Sequence, residues 1–339
     1  MTAMLPNDVL LADEITSTDP SENAALLRQI YDYETVQLSK GDHCRKLKFA
    51  ATNQFICYEE KIGAELHSVG TLRGDRFAIA IPRRDGDFRF WGKDICQQHL
   101  PVSKSGTEMQ IRQGSGLELI VLLWDRSLIL EACDNPLISP RSKQQLECFL
   151  ESGGQSNQFV QPPKGVSCGW ADFFASQLAV LQARQDVLTA ERFNSLAVGT
   201  LLSFTDECVF KAAEKMSRLR AWELVSRAME LDSCNLNLPC MIPLLCGQLG
   251  CSRRKLELAF RETVKMSPAK YLSSMRLNRI YRELVSSDPD VSSVTAIAGK
   301  YGFAELGRFA GYYKRVFGES PRQSLRANRR SSEIIVPSA

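Results

Sequence analysis

Cysteine and histidine are the side chains that could give this chain redox, nucleophilic or metal chemistry. The 339 residues contain 11 cysteines and 3 histidines. No two cysteines form a Cys-x-x-Cys pair, and His43, His67 and His99 are too far apart for a His-x-His pair. The spacing therefore predicts neither a zinc ribbon nor a thioredoxin-type redox pair. In a reducing cytoplasm we expect the cysteines to act as small buried hydrophobic residues. We expect the protein to use no metal, no cofactor and no catalytic residue.

A repeat in the C-terminal third gives the strongest pattern. Residues 242–268 and 294–321 resemble each other, with one extra residue in the second copy, and each copy closes on Ser-Pro. The matched pairs, 52 or 53 residues apart, are Cys246 with Ala298, Gly250 with Gly302, Phe260 with Tyr313, and Pro268 with Pro321. Two copies at matched spacing indicate two units of the same structure.

Each copy fits a helix-turn-helix. The small residue lets the second helix cross close to the first, and the glycine four residues later can adopt the positive φ that a sharp turn needs. Ser252 is a good N-cap for the second helix of the first copy. Apolar residues then recur at helical spacing, which predicts one buried face and leaves the opposite face free for DNA. They are Leu256, Ala259, Phe260 and Val264 in the first copy, and Phe309, Tyr313 and Phe317 in the second.

One long helix is predicted between the two copies. Ser267 stands at its start with Pro268 in the first turn, and Asp288-Pro289 stops it. Its apolar stripe consists of Leu272, Met275, Leu277, Ile280, Tyr281 and Leu284. A helix of about 18 residues is about 27 Å long, which is near the ~34 Å between successive major-groove faces of B-DNA. Such a helix could present both second helices to one side of the duplex.

The rest of the chain is predicted to begin with strands and to continue with helices. The stretch from about Leu47 to Trp124 is predicted to form strands, with clear patterns at 77–81, 87–91 and 117–124, which favours a small antiparallel barrel or sandwich. Helices are predicted over 139–151, 170–183, 189–209 and 212–232, with a loop or linker over 152–167. The fold class is therefore α+β. The predicted domains are a β-rich domain over 1–135, a helical region over 136–212, an all-α domain over 213–327 and a flexible tail over 328–339.

Composition and charge add two constraints. No apolar stretch exceeds about nine residues, whereas a membrane span needs about 20. Residues 1–18 contain no Lys or Arg, so they lack the basic region of a secretory signal, and we expect a cytoplasmic protein. Residues 1–218 carry 23 Lys and Arg against 28 Asp and Glu, whereas residues 219–339 carry 19 against 11. A basic C-terminal third indicates contact with nucleic acid.

The C-terminal 110 residues or so resemble the DNA-binding domain of AraC-type bacterial transcription regulators. The motifs are Gly-x-Ser-Arg-Arg-x-Leu from Gly250, then Arg276-Leu277-Asn278, then Ile-Ala-x-x-Tyr-Gly-Phe from Ile297, and Tyr-Lys-Arg-x-Phe-Gly-x-Ser-Pro from Tyr313. Residues 276–278 and 306–310 resemble the branch that includes the ethanolamine-operon regulator. The resemblance implies an N-terminal cupin-like sensor and dimerisation domain, and hence a homodimer. It also implies an activator that responds to a small molecule, binds promoter or operator DNA and contacts RNA polymerase at the bacterial nucleoid.

The resemblance also assigns DNA contacts to the second helix of each copy. In the first copy, Arg254 is expected to pair with guanine, Glu257 with cytosine, and Leu258 with a thymine methyl or with nothing. The remaining assigned residues are Ser252, Arg253 and Arg261 in the first copy, Glu305, Leu306, Arg308 and Tyr312 in the second, and Lys270, Arg276, Lys314, Arg315 and Ser320 at phosphates.

The second recognition helix has unusual features. Gly307 and Gly311 each cost it roughly 1 kcal/mol relative to Ala, and Ala304 lacks the oxygen of a usual cap. We therefore expect this helix to supply backbone proximity and phosphate contacts more than base selection.

The ligand and the rival functions stay open. Candidates for a ligand pocket, each explained more simply as barrel core or surface, are Tyr58, Phe88, Arg89, Phe90, Trp91 and Trp124. The helices over 139–151 and 170–209 are candidates for a subunit interface. One alternative function is a regulator that binds DNA without a ligand. A remote alternative is a cysteine-based DNA repair enzyme that uses Cys240, although the His and Arg expected beside a methyl-accepting thiolate are absent.

Overall fold

The computed structural model describes residues 10–17, 27–40, 45–136, 138–151, 158–183, 189–212, 217–239, 241–289 and 292–327. The strands are β1 (Leu11–Ser17), β2 (Tyr31–Gln37), β3 (Arg45–Ala51), β4 (Phe55–Lys61), β5 (Leu66–Leu72), β6 (Arg76–Pro82), β7 (Phe88–Phe90), β8 (Lys93–Asp94), β9 (Leu100–Lys104), β10 (Glu108–Gln113), β11 (Glu118–Asp125), β12 (Gln158–Gln161) and β13 (Val209–Ala212). The helices are α1 (Arg126–Cys133), α2 (Pro140–Glu151), α3 (Val166–Ala183), α4 (Ala190–Glu207), α5 (Ser217–Cys234), α6 (Ile242–Leu249), α7 (Arg253–Thr263), α8 (Pro268–Ser286), α9 (Val294–Lys300), α10 (Leu306–Phe317) and α11 (Pro321–Ala327).

The strands form two antiparallel sheets that pack face to face. The larger sheet has the order β1-β3-β4-β11-β6-β9-β12-β13, and the smaller has the order β2-β5-β10-β7-β8. Tyr58 and Val121 of the larger sheet are buried together with Phe88 and Met109 of the smaller sheet. Among the described strands the two sheets stay separate and close no barrel. The prediction of an antiparallel, β-rich N-terminal region is therefore confirmed, and its cupin-like form stays a prediction.

Strand β11 lies at the centre of the larger sheet and is buried on both faces. Leu119, Val121 and Leu123 face the smaller sheet, whereas Ile120, Leu122 and Trp124 face the cluster that contains α3 and α4. The indole N–H of Trp124 donates to the carbonyl of Ala197 in α4 at 3.0 Å. A strand covered on both sides needs apolar residues at every position, which explains the continuous apolar run in the sequence.

Strands β1, β2, β12 and β13 were not predicted, and the last two lie in segments for which another structure was predicted. Strand β12 lies inside the segment predicted as a loop, and β13 lies at the end of the helix predicted over 189–209. Strand β12 pairs with both β9 and β13, which extends the larger sheet by two strands. Four-residue strands show too little alternation to be recognised from sequence, so their pairing partners decide their structure. Residues 152–157, the predicted tail over 328–339, His43 and Cys240 lie outside the described residues.

Helices α5 to α11 form the C-terminal part, and α8 belongs to both of its cores. Tyr271 and Leu272 of α8 pack with Phe260 of α7 in one cluster, whereas Ile280 of α8 packs with Tyr313 of α10 in the next. The predicted helix over 268–285 is therefore confirmed as Pro268–Ser286. Because each half of α8 is anchored in a different core, α8 connects the two repeat units rigidly. Within the described ranges, no helix is long and apolar enough to cross a membrane.

Candidate nucleic-acid interface

The turn of the first repeat has the predicted backbone geometry. Gly250 ends α6 with φ of 61°, in the left-handed region that glycine enters without steric cost. Its N–H bonds to the carbonyls of Cys246 and Gly247. Ser252 is the N-cap of α7, because its hydroxyl accepts the backbone N–H of Lys255 at 3.2 Å. The hydroxyl of Ser252 thus fixes the start of the recognition helix.

Helix α7 buries one face and exposes the face assigned to DNA. Leu256 and Phe260 are fully buried. The positions 254, 257, 258 and 261 follow the i, i+3, i+4, i+7 spacing of a single helix face. Arg254, Leu258 and Arg261 are exposed there and Glu257 is half-buried, with Leu258 exposed to 55%. This face combines two guanidinium groups, one carboxylate and one apolar side chain.

One ion pair already exists on α7. The Nε of Arg253 lies 2.9 Å from Oε1 of Glu257, at the favourable i,i+4 spacing. Exposed pairs of this type contribute only about 0.3–0.5 kcal/mol, so a cytosine amino group or a phosphate can compete for either partner. The ion pair orients the Glu257 side chain along the helix axis, but it is weak enough for DNA to replace it.

The turn of the second repeat is more tightly packed than the first. Gly302 has φ of 78°, and a Cβ placed on it would lie 2.7 Å from Nη1 of Arg276 and closer still to the carbonyl oxygen of Leu238. By contrast, a Cβ on Gly250 would meet nothing within 4 Å. In the first unit this motif position requires glycine only because of its positive φ. In the second unit it requires glycine both because of its positive φ and because no Cβ fits there.

Helix α10 presents an open backbone surface. Glu305 occupies its N-cap position and makes no side-chain cap bond, so the cap lies one residue after the predicted Ala304. Gly307 and Gly311 are exposed, and nothing lies within 4 Å of a Cβ built on either. Because two glycines four residues apart lie on the same helix face, α10 exposes a strip of bare backbone.

Basic and aromatic side chains surround this strip. Lys314 and Arg315 are exposed, and the Arg315 guanidinium lies 5.3 Å from the centre of the Tyr312 ring. Arg308 is exposed and lies 3.8 Å from Glu305, and Leu306 is 38% exposed. A groove between the start of α8 and α10 is lined by Lys270, Arg308 and Tyr312 among others. Seven of the assigned residues therefore lie on or beside α10.

The phosphate assignment of Arg276 is wrong. Its side chain is buried against Asp232, with Nη2 2.5 Å from Oδ1 and Nε 2.9 Å from Oδ2. Nη1 donates to the carbonyls of Leu238 and Tyr301. All of these bonds hold the guanidinium inside the domain, where it joins α5 to the turn of the second repeat. Met275 and Leu277, which flank it in the apolar stripe, were a signal of this burial.

The sensor candidates fall into two groups. Tyr58, Phe88 and Phe90 line a cavity between the two sheets. Trp124 lies on the opposite face of the larger sheet, Arg89 pairs with Asp94 at 2.9 Å, and Trp91 packs edge-on against Trp222 of α5 at 6.0 Å. The sequence missed further lining residues, namely Tyr31, Tyr33, Glu60, Ser68, Met109 and Gln113. Those on β2 were missed because β2 was not predicted as a strand.

The cavity is small and is lined by both aromatic and polar side chains. The space open to the centre of a water molecule is about 40 Å³, which is room for a few waters. The hydroxyls of Tyr31 and Tyr58 lie 2.8 Å apart, and burial raises the pKa of Tyr58 well above its usual value. The buried carboxylate of Glu60 accepts a bond from Nε2 of Gln113 at 3.4 Å. The cavity therefore offers hydroxyl groups and one carboxylate to any occupant.

Comparison with known proteins identifies the C-terminal part. Residues 245–327 match the helix-turn-helix domain family. The probable thc operon regulatory protein of Rhodococcus erythropolis is 32% identical over 122 residues, which are 34% of this chain and 37% of that protein. The XylDLEGF operon transcriptional activator of Pseudomonas putida is 39% identical over 75 residues, which are 22% of this chain and 23% of that protein.

A solved structure resembles about a third of this chain. A probable AraC family transcriptional regulator from Rhodopseudomonas palustris CGA009 is 32% identical and covers 32% of this chain and 99% of that chain, with a TM-score of 0.29. The chain thus matches between about a quarter and two fifths of the length of these curated relatives. Its C-terminal part is a helix-turn-helix DNA-binding domain similar to those of AraC-type transcription regulators.

Proposed function

We propose that this protein is a transcription regulator, acting as an activator, that reads two adjacent major-groove segments of DNA with α7 and α10. The observation that supports this most is the pair of exposed recognition faces joined by α8. At 19 residues, α8 is about 28 Å long, and each half is anchored in a different core. A connection of that length and rigidity suits two readings on one side of the duplex.

The remaining parts of the proposal follow from the resemblance to AraC-type regulators. Residues 213–327 bind DNA in the cytoplasm at the bacterial nucleoid, residues 1–135 sense a small molecule, and residues 136–212 contribute to a homodimer. RNA polymerase is the partner of the DNA-bound form. Membership of the branch that includes the ethanolamine-operon regulator stays a prediction.

The test of DNA reading is selection of genomic fragments by the purified full-length protein. We expect two short sequence elements whose centres lie about one helical turn, roughly 10 base pairs, apart. Arg254→Ala should relax one element at one position by about 1–3 kcal/mol, and Arg308→Ala should weaken contact with the other. Arg141→Ala, an exposed arginine of α2, is the matched control. If both recognition variants changed the same element, the assignment of one helix to each element would be wrong.

The cavity supports a small-molecule signal of particular chemistry. Because Glu60 places a carboxylate in a buried space, an anionic ligand would suffer repulsion there, whereas a neutral or cationic donor would be favoured. The tyrosine hydroxyls suit ligands with hydroxyl or amine groups. A constitutive regulator is the alternative function, and a cavity with room for only a few waters is compatible with it.

Thermal unfolding separates these two functions. A ligand that binds the folded protein raises its stability by RT ln(1 + [L]/Kd), so the melting temperature rises with ligand concentration. Small amines, polyols and aromatic acids form the test panel, and we expect stabilisation by the first two. Glu60→Gln should reduce the preference for amines over acids. Stabilisation by acids alone would contradict the proposed chemistry, and no stabilisation by any compound would favour the constitutive regulator.

A further inference from the structure

The smaller sheet separates the cavity from the C-terminal helices, and its residues alternate between the two sides. Side chains on the cavity side are Tyr31 and Tyr33 of β2, Ser68 of β5, and Met109, Ile111 and Gln113 of β10. Side chains on the other side are Glu34 and Val36 of β2, His67 of β5, and Glu108 of β10, which contact the C-terminal helices or pack in their core. Because successive residues of a strand point to opposite faces, one backbone carries both sets.

We propose that this sheet transmits the occupancy of the cavity to the relative placement of the two recognition helices, through a joint formed by Gln37 and Asn278. The inference rests on the proposed reading of two DNA elements. It adds the route by which the sensor half controls that reading.

The joint is a side chain that pairs with a strand. The backbone N–H of Gln37 donates to Oδ1 of Asn278 at 2.9 Å, and Nδ2 of Asn278 donates to the backbone carbonyl of Gln37 at 3.0 Å. Asn278 therefore meets the end of β2 as a neighbouring strand would. Both residues are buried, so water does not compete for these bonds. The amide of Asn278 is the chemical group that this double bond requires, since it carries one donor and one acceptor side by side.

Gln37 also contacts the second repeat unit. Its Nε2 donates to the carbonyl of Val316, near the C-terminal end of α10, at 3.0 Å. Gln37 of the smaller sheet thus bonds both to the connecting helix α8 and to the second recognition helix α10. Beside it, Glu34 pairs with Arg282 of α8 at 2.7 Å and with Arg279 at 3.4 Å. A movement of β2 along its own axis would displace these contacts together.

The neighbouring strands of the smaller sheet bond to α8 and to α5. Nδ1 of His67 lies 2.6 Å from the hydroxyl of Tyr271 in α8, and its Nε2 lies 3.1 Å from Nε2 of Gln110. Burial lowers the pKa of His67 to about 3, so the ring is neutral and serves as one donor and one acceptor. Trp222 of α5 donates to Oε1 of Glu108 at 3.2 Å. The smaller sheet therefore bonds to α5, to the connecting helix α8 and to α10.

The tip between β7 and β8 reaches the end of the first recognition helix in a costly conformation. Trp91 has φ of 52°, which is unusual for a bulky residue. Its buried indole N–H finds no acceptor among the described residues. A Cβ on the adjacent Gly92 would lie 3.2 Å from the carbonyl of Glu262 in α7. The tip of the smaller sheet therefore lies against the C-terminal end of α7.

The size of the cavity explains why an occupant would move the sheet. A ligand larger than a few waters does not fit the present space, so the lining must give way. The larger sheet is fixed on its far face by α3 and α4, whereas the smaller sheet rests on the C-terminal helices. If an occupant displaces the smaller sheet, the contacts that Gln37 and His67 make with the C-terminal helices must therefore move as well.

The contact does not act by covering the DNA-reading faces. With the sensor half in place, Arg254, Leu258 and Arg261 of α7 and Arg308 and Gly311 of α10 remain exposed. The sheet lies against α5, α8 and the C-terminal ends of α7 and α10 instead. Its effect is on the angle and distance between the two units.

The test measures how strictly the protein reads the spacing of its two elements. Duplexes carry the selected elements at the native spacing or with one or two extra base pairs, each of which rotates one element by roughly 35° relative to the other. We expect the wild type to lose at least about tenfold in affinity at two extra base pairs, and Asn278→Ala to lose less than about threefold. Asn237→Ala is the matched control, since Asn237 is exposed in the turn that follows α5.

A filled cavity replaces the unknown ligand as the second perturbation. Ser103→Leu adds bulk to the lining from the larger sheet without touching the joint. We expect it to change the spacing preference of the wild type and to change nothing in the Asn278→Ala background, because the joint carries the signal. Equal effects in both backgrounds would overturn the inference, as would an Asn278→Ala variant that keeps the wild-type preference.

Two further arms keep the result interpretable. If Asn278→Ala does not fold, Gln37→Met removes the bond to Val316 while keeping the backbone pairing with Asn278, and the same loss of spacing preference is expected. A wild type that binds one element as tightly as two would contradict the proposed function itself, and this is read from the wild type alone.

Discussion

The two repeat glycines make a matched pair for a quantitative test. Gly250 and Gly302 hold the same motif position with φ of 61° and 78°. Replacing either by alanine forces an L-residue into the left-handed region, at about 1–2 kcal/mol. For Gly250→Ala nothing more is expected, since its Cβ would meet nothing within 4 Å.

Gly302→Ala has an additional cost. Its Cβ would overlap the carbonyl of Leu238 and approach Nη1 of Arg276 to 2.7 Å. Relief requires movement of backbone or of a guanidinium that is bonded to Asp232. Disrupting a buried ion pair costs roughly 3–5 kcal/mol, so together with the conformational cost we expect a total loss of about 4–7 kcal/mol, against about 1–2 kcal/mol for Gly250→Ala.

Thermal unfolding followed by circular dichroism measures the difference. For a chain of this size each kcal/mol lowers the Tm by roughly 2–4 °C. The transition of the C-terminal part should be followed separately, because a protein of several domains need not unfold in one step. Equal losses in the two alanine variants would refute the reasoning, since they would show that the surroundings of Gly302 accommodate a Cβ freely.

Three further predictions concern the buried ion pair of Arg276 and Asp232, the buried His67, and the exposed backbone at Gly307 and Gly311. Asp232→Asn should lower the free energy of unfolding of the C-terminal part by about 3–5 kcal/mol in urea unfolding. Glu257→Gln breaks the exposed pair on α7 and should change that free energy by less than about 0.5 kcal/mol. Similar losses in the two variants would contradict the buried role of Arg276. Because the pKa of His67 is lowered from 6.5 to about 3 in the folded state, unfolding takes up a proton below pH 6.5, so stability should fall by about 1.4 kcal/mol per pH unit between pH 6.5 and about 3. The slope between pH 7 and pH 5 should flatten in His67→Gln, and an unchanged slope would assign the effect to other groups. Gly311→Ala should raise the melting temperature, as alanine is favoured by about 1 kcal/mol in a helix, and should weaken DNA binding if the bare backbone approaches the duplex; tighter binding would contradict that role.

Most of the DNA-binding half could be predicted from sequence because its signals are local. The positive φ at Gly250 and Gly302, the N-cap at Ser252 and the bounds of α8 each depend on residues within a few positions of one another. The exposed face of α7 follows from helical periodicity in the same way. These features hold wherever the segment is placed in the fold.

The partners of Arg276, Asn278 and His67 depended on tertiary structure. Asp232 lies 44 residues from Arg276, and Gln37 lies 241 residues from Asn278. An arginine in a basic segment is typical of a phosphate contact, and only the position of Asp232 shows that it is buried. Strands β12 and β13 are likewise determined by their pairing with β9.

The sequence by itself determined two helix-turn-helix units, the helix between them and the faces they expose, because helix formation and capping are decided within a few residues. Only the tertiary structure decided that the smaller sheet bonds to α5, α8 and α10, and that it faces a cavity on one side and the C-terminal helices on the other. Such contacts depend on how the sheet packs against the helices in the folded protein. No local sequence pattern specifies which distant residues come within bonding distance of each other.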